Sequence, residues 1–84
     1  MTDERIRHCV DKIVEIVERG ESSHRSLLQL GYNLGRLGEL TGLGREVFWD
    51  PWKDSVAAWD LASLRKSAEG LQVSLLGNVI DEES

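Results

Sequence analysis

The segment SHRSLLQLGYNLGRLGELT, residues 23–41, carries the strongest structural signal in this chain. Together with the residue after it, the segment spaces its glycines by four, three and four, at Gly31, Gly35, Gly38 and Gly42. On a helix of about 100° per residue these positions form one stripe with leucines directly beside it. An interior glycine costs about 1 kcal/mol relative to alanine, so the stripe predicts close packing of a helix against another element.

A first helix is predicted over about residues 3–19, and the glycine-containing helix 2 over about residues 23–42. Apolar residues recur in helix 1 every three or four positions and share one arc, namely Ile6, Cys9, Val10, Ile13, Val14, Ile16 and Val17. Gly20 suits the residue that follows a helix end, and Ser22 or Ser23 suits the N-cap of helix 2. Because the turn is short, the two helices should be antiparallel neighbours.

A longer helix 3 is predicted over about residues 51–79. Asp50 followed by Pro51 is a helix-start signal, because aspartate caps the first turn and proline fits its first position. Apolar residues then recur at intervals of three and four, at Ala57, Leu61, Leu64, Ala68, Leu71, Leu75 and Val79. One apolar stripe therefore runs along the whole predicted helix.

The end of that helix leaves a second interpretation open. After Gly70 the sequence alternates like a strand over residues 71–75, so a short hairpin over residues 71–80 is the alternative. Helix is preferred because an isolated hairpin has no sheet to join. Residues 81–84 are interpreted as an acidic tail. The chain is thus predicted to be one all-α domain, residues 1–84, in which an antiparallel helical hairpin packs against a longer third helix.

The composition limits the class of protein. Ten basic and fifteen acidic side chains give a net charge of −5, and most of the excess acid lies in residues 43–84, which carry eight acids and four bases. This balance disfavours direct binding to nucleic acid or to an anionic membrane and favours a basic partner surface. The single cysteine, Cys9, excludes an internal disulfide and fits a reducing compartment. The N-terminus has no apolar signal core and no apolar run could span a membrane, so we expect a cytoplasmic protein.

No pattern in the sequence indicates an enzyme or a cofactor. The glycine-rich segment lacks the preceding strand and the Lys-Ser/Thr pair of phosphate-binding loops. No nucleophile is paired with a base, and Cys9 is interpreted as a small buried hydrophobe. Glu21 and His24 have the Glu-x-x-His spacing of helical di-iron sites, and they define one alternative, a small metal-dependent enzyme or metal carrier.

An aromatic cluster is the most informative feature for binding. Phe48, Trp49, Trp52 and Trp59 comprise all but one of the aromatic residues. Trp52, Val56 and Trp59 form a second apolar stripe on helix 3, which gives that helix more apolar surface than one neighbour can cover and predicts self-association. Either the indoles complete the core, or Trp49, Trp52, Val56 and Trp59 include an exposed anchor for a partner.

These observations predict a small acidic intracellular protein-interaction module that binds and occludes another protein, as inhibitors, immunity proteins and adaptors do. An acidic mimic of nucleic acid, such as a phage-encoded inhibitor of bacterial defence, is the alternative among binding proteins. A net charge of −5 over 84 residues is modest for such a mimic. The expected partner is another protein or, by self-association, a second copy.

Overall fold

The computed structural model of this chain describes residues 4–76. In that range it is all-helical, with four helices and no strand: α1 (Glu4–Arg19), α2 (His24–Thr41), α3 (Arg45–Ala58) and α4 (Leu61–Leu76). α1 packs against α2 and α4, α2 packs against α3, and α3 also contacts α4. The all-α prediction is confirmed. The three-helix arrangement is wrong, because the predicted third helix is replaced by two helices.

The first two helices follow the predicted pattern. The buried residues of α1 are Cys9, Val10, Ile13, Ile16 and Val17. Gly20 has a left-handed φ of 72°, and its amide donates to the Ile16 carbonyl at 3.1 Å, which closes α1. Ser23 caps α2, since its side-chain oxygen accepts from the Ser26 amide at 3.1 Å. Three fully buried leucines of α2 complete this part of the core: Leu30, Leu34 and Leu37.

The third helix begins earlier than predicted. α3 starts at Arg45, and Pro51 lies inside it, so the predicted start at Asp50 and Pro51 is wrong. The additional turns bring Phe48 and Trp49 to the packed side of α3, where both side chains are half-buried against the core. Burial of these two rings offsets the cost of a proline within the helix.

The helix predicted over residues 51–79 is broken at Trp59 and Asp60. Trp59 has left-handed backbone angles, φ 52° and ψ 49°, and the Asp60 amide donates to the Ser55 carbonyl at 3.0 Å, which ends α3. The Asp60 carboxylate then accepts from the Ser63 amide at 3.4 Å and from the Ser63 hydroxyl at 2.9 Å. Asp60 therefore serves as the N-cap of α4.

The corner keeps the fold compact. A continuous helix over residues 51–79 would be roughly 40 Å long, whereas the longest dimension of the fold is 36 Å. The break allows α3 to cover α2 while α4 turns back against α1 and buries Leu64, Ala68 and Leu71. The Trp59 indole holds the corner, because its Nε1 donates to the Gly20 carbonyl at 3.2 Å.

The C-terminal alternatives are partly decided. Residues 71–76 are the last turns of α4, so the hairpin alternative is wrong for that segment. The predicted helix end at residues 77–79 and the predicted acidic tail, residues 81–84, lie outside the described residues. None of the helices in residues 4–76 has the length and apolar character needed to cross a membrane.

Pro51→Ala should raise the free energy of unfolding by about 2 kcal/mol. Proline inside a helix cannot donate to the carbonyl four residues earlier and crowds that turn, at a cost of about 3 kcal/mol, while its restriction of the unfolded chain returns up to about 1 kcal/mol. The exposed Pro51 ring contributes little packing. Urea and thermal unfolding measure the change.

The matched control is Gly70→Ala in α4, where open space surrounds the position of the added methyl group. This variant should gain only its helix propensity, about 1 kcal/mol. If α3 instead began at Pro51, Pro51→Ala would leave stability unchanged or lower it, because proline is well suited to a first helical position.

Candidate functional site

The glycine stripe of α2 lies against the start of α3. A Cβ atom added at Gly38 would overlap the Gly44 carbonyl oxygen and lie 2.7 Å from the Arg45 Cα, so the two backbones meet there. At Gly35 the tip of the Arg45 side chain takes the equivalent space, with its Nη2 atom 3.1 Å from an ideal Cβ position. Glycine is required at Gly38 by backbone contact, whereas at Gly35 it makes room for a side chain.

The other two glycines of the stripe have different roles. Gly31 faces the ring of Trp49, with 3.8 Å between an ideal Cβ position and the nearest ring carbon. Gly42 ends α2 in the left-handed region, with φ 77°, and nothing lies within 4 Å of its Cβ position. The prediction that Gly42 packs against a helix is therefore wrong, because the chain uses it as a C-cap.

A groove of about 440 Å³ opens between α2 and α3 beside Gly31 and Gly35. The side chains that line it are Leu27, Leu28, Tyr32, Arg45, Glu46 and Trp49. Leu28 and Tyr32 are 60% and 61% exposed. Large apolar side chains that are exposed side by side, rather than singly, mark interaction surfaces, so this groove is the candidate functional site.

Arg45 closes one end of the groove. Its guanidinium lies over Gly35, and its Nη1 donates to the Glu39 carboxylate at 3.2 Å. The ion pair is largely exposed, so it contributes little to stability, but it neutralises the positive charge at this position. The groove therefore offers no uncompensated cation from Arg45.

One carboxylate of α3 lines the groove. Glu46 lines the groove, and Asp50 and Asp54 follow it at four-residue intervals on exposed positions of α3, with Lys53 among them. Within residues 4–76 none of these three carboxylates takes part in an ion pair. Glu46 is therefore the carboxylate that lines the groove, whereas Asp50, Lys53 and Asp54 lie outside its lining.

The four side chains predicted to bind a partner occupy different environments. Trp52 and Val56 are each 4% exposed and belong to the core. Trp59 is half-buried and bonded to the Gly20 carbonyl at the corner between α3 and α4. Trp49 alone reaches the groove. For Trp52 and Val56 the structure therefore favours the core alternative that the sequence left open.

Sequence reasoning did not single out Leu28 and Tyr32. On the helical projection of α2, both lie on the opposite side of the glycine stripe from the core leucines Leu30, Leu34 and Leu37. An apolar pair on that side is the signal that could have identified the groove, since neither residue can join the leucine face.

Glu21 and His24, which define the metal-binding alternative, lie at and just before the start of the second helix. Glu21 lies in the turn between α1 and α2, His24 is the first residue of α2, and both are exposed. In residues 4–76 no three or more His, Cys, Asp and Glu residues are grouped to hold a metal ion. Cys9 is 3% exposed, and burial raises the pKa of its thiol, against the opposing charge of Arg36. A buried thiol with a raised pKa is a poor nucleophile.

The groove has apolar surface for binding but few side chains that could act in catalysis. Its lining is aliphatic, aromatic and glycine, together with one paired guanidinium and the Glu46 carboxylate. Comparison with known protein families, with curated proteins and with solved structures gives no match for this chain. The groove is therefore the feature of this chain that bears on its function.

Proposed function

We propose that this protein is a small intracellular interaction module that binds and occludes another protein through the groove between α2 and α3. The observation that supports this most directly is the joint exposure of Leu28 and Tyr32 beside the half-buried Trp49. Contiguous exposed apolar surface is uncommon on monomeric proteins unless it binds something. Tyrosine and tryptophan are also enriched among the residues that dominate binding energies.

An acidic mimic of nucleic acid is less well supported by this surface. Glu46, Asp50 and Asp54 are spaced by about 6 Å along α3, as four residues of helix require. However, Lys53 interrupts the array, and apolar side chains occupy the groove beside it. A mimic of the phosphate backbone needs a closely spaced array of negative charge.

Self-association is the other possible use of the groove. The sequence argument for it was one long helix with two apolar stripes, but α3 packs against α2 and α4 packs against α1. The exposed groove between α2 and α3 is the observation that still supports self-association. A mass above 9.5 kDa in light scattering would indicate a homo-oligomer, and a mass equal to it would leave the groove for a different protein.

The proposal is tested by affinity capture from the native host with matched variants. Tyr32→Ser should reduce recovery of a specific partner by at least about tenfold, because exposed aromatic anchors carry much of the binding energy. Tyrosine and serine have similar helix propensities, and Tyr32 is 61% exposed, so the thermal melt should change little.

Val73→Ser on α4 is the matched control, since Val73 is 57% exposed and lies outside the groove. It should retain the partner at the wild-type level. Equal recovery of the same partner by Tyr32→Ser and Val73→Ser would overturn the groove as the working surface, and failure to recover any stoichiometric partner would overturn the proposal as a whole.

A further inference from the structure

We infer that the surface formed by α1 and α2 binds an acidic segment of another protein, one rich in aspartate and glutamate. This surface, the α1–α2 face, lies on the α1 side of α2, whereas the groove lies on its α3 side. Two features carry the inference: cations are gathered on this face, and few carboxylates are present to pair with them. The face is a second surface, so the proposed function of the groove does not depend on it.

Two adjoining depressions make up the α1–α2 face. One, of about 280 Å³, lies between the middle turns of the two helices, and the other, of about 310 Å³, lies beside the turn that joins them. Lys12 and Gln29 line both depressions, so the two are continuous. The basic side chains of the combined lining are His8, Lys12, Arg19, Arg25 and Arg36.

Helical spacing places these basic side chains in two rows. His8, Lys12 and Arg19 follow one another at intervals of four and seven residues, so they lie on one side of α1. On α2, Arg25 and Arg36 are eleven residues apart and also share one side. Arg19 lines the same depression as Arg25, and His8 the same one as Arg36, so the rows run antiparallel. Together they form a basic strip roughly 16 Å long, the rise of eleven helical residues.

Few carboxylates neutralise the basic strip. Glu21 is the one carboxylate in the lining of the two depressions. Glu15 lies beside the strip and is paired with Lys12, with 3.6 Å between its Oε1 and the lysine Nζ. Glu39, near the end of α2, is paired with Arg45 of the next helix. The strip therefore holds three arginines against one unpaired carboxylate.

The remaining acidic residues of α1 lie to one side of the strip. On the helical projection, Glu4, Asp11 and Glu18 are roughly 60–100° from the centre of the basic row of α1. None of the three lines either depression, and Glu18 lines a different one on the α4 side of α1. These carboxylates therefore leave the charge of the lining unchanged.

The three arginines are the anchor points for an anion. Arg19, Arg25 and Arg36 form no ion pair within residues 4–76. Arg36 is half-buried, and it lines its depression together with Asn33, which is 8% exposed. A guanidinium that is partly removed from water gains more from a carboxylate than a hydrated one does, because a lower dielectric strengthens the attraction. Arginine also binds a carboxylate through two parallel hydrogen bonds.

The size of the strip favours a short acidic peptide over nucleic acid. Five residues of extended peptide span roughly 16 Å, and their alternate side chains stand about 7 Å apart on one face. Nucleic acids gain affinity by contacting many phosphates along a basic surface. Outside the two linings, residues 4–76 carry ten acidic and six basic side chains, which repel a longer polyanion. Tyr32 is the one tyrosine, phenylalanine or tryptophan of the linings, so nucleic acid bases have little to stack on.

Two synthetic peptides of about 12 residues, long enough to cross the strip when extended, provide the test. One has glutamate at alternate positions and serine elsewhere, and the other has glutamine in place of each glutamate. Titrations at low salt, followed by NMR amide shifts, should give at least about tenfold tighter binding of the glutamate peptide. The shifted amides should map to residues 8–19 of α1 and 24–36 of α2.

Charge-matched variants locate the binding. Arg25→Gln combined with Arg36→Gln should weaken the glutamate peptide by about five- to tenfold, since each arginine loses one carboxylate partner. Lys53→Gln combined with Lys66→Gln is the control, because it removes the same charge at exposed positions of α3 and α4 and should bind as wild type does. Thermal melts should show that both proteins are folded. Arg19→Gln, at an exposed position, should weaken binding by about two- to threefold and is independent of the half-buried Arg36.

The other outcomes overturn the inference in distinguishable ways. Equal binding of the two peptides, or equal losses in the two double variants, would show that the strip does not select carboxylates. An oligothymidylate with as many phosphates as the peptide has glutamates should bind more weakly, and tighter binding at the same residues would make nucleic acid the occupant. Amide shifts on the face when Asp81→Asn, Glu82→Gln and Glu83→Gln are combined, without peptide, would make a segment of this chain the occupant. The groove is tested separately by Tyr32→Ser.

Discussion

Trp52→Ala should lower the free energy of unfolding by about 3–5 kcal/mol, as truncation of a buried tryptophan does. The Trp52 side chain is 4% exposed and belongs to the same core as the leucines of α2 and α4. Natural domains have about 5–15 kcal/mol of stability, and a domain of 84 residues lies towards the low end. The variant should therefore be close to unfolded at ordinary temperature.

Trp49→Ala is the informative comparison, because the same side chain is removed from the same helix. Trp49 is only half-buried and faces the groove, so the loss should be smaller, about 2 kcal/mol, with partner binding lost as well. Urea unfolding measures the first effect, and capture from the host measures the second. A folded Trp52→Ala protein together with an unfolded Trp49→Ala protein would reverse the assignment of core and groove.

The helical hairpin could be predicted because its signals are local. The apolar arc of α1 repeats within each pair of turns. Gly20 donates to a carbonyl four residues earlier, and Ser23 accepts from an amide three residues later. Both kinds of signal can be read from a short window of sequence, and neither depends on where the rest of the chain packs.

The corner between α3 and α4 could not be predicted in the same way. A left-handed tryptophan is rare, because side chains other than glycine are disfavoured at positive φ. Trp59 is held there by partial burial and by a hydrogen bond to Gly20, 39 residues earlier in the chain. Asp60 did carry a local cap signal, but the apolar repeat runs across the corner without a change of spacing and concealed it.

Prediction of the candidate site also depended on contacts between residues that are far apart in the sequence. Sequence reasoning located an aromatic cluster, but which indole faces solvent depends on where α3 begins, and Pro51 was a misleading start signal. Once α3 begins at Arg45, Trp52 turns into the core and Trp49 reaches the groove. The exposure of Tyr32 then follows from α3 covering the glycine stripe and leaving the adjacent face of α2 open.

Gly38→Ala should lower the free energy of unfolding by about 3 kcal/mol, although alanine is the better helix former by about 1 kcal/mol. The added Cβ would overlap the Gly44 carbonyl oxygen and lie 2.7 Å from the Arg45 Cα. Both are backbone atoms, so the turn and the start of α3 must move rather than one flexible side chain. The Gly38 carbonyl also accepts from the Leu43 and Gly44 amides, each at 3.1 Å, and that movement would strain both hydrogen bonds.

Gly35→Ala and Gly31→Ala are the matched controls on the same stripe. The first would meet only the mobile tip of Arg45, at 3.1 Å, and the second only the Trp49 ring, at 3.8 Å, so both should retain or slightly exceed wild-type stability in thermal and urea unfolding. A Gly38→Ala protein as stable as Gly35→Ala would show that the two backbones do not meet at Gly38. Because that contact places Arg45 and Trp49 along α2, the same result would also remove the wall that α3 gives to the groove.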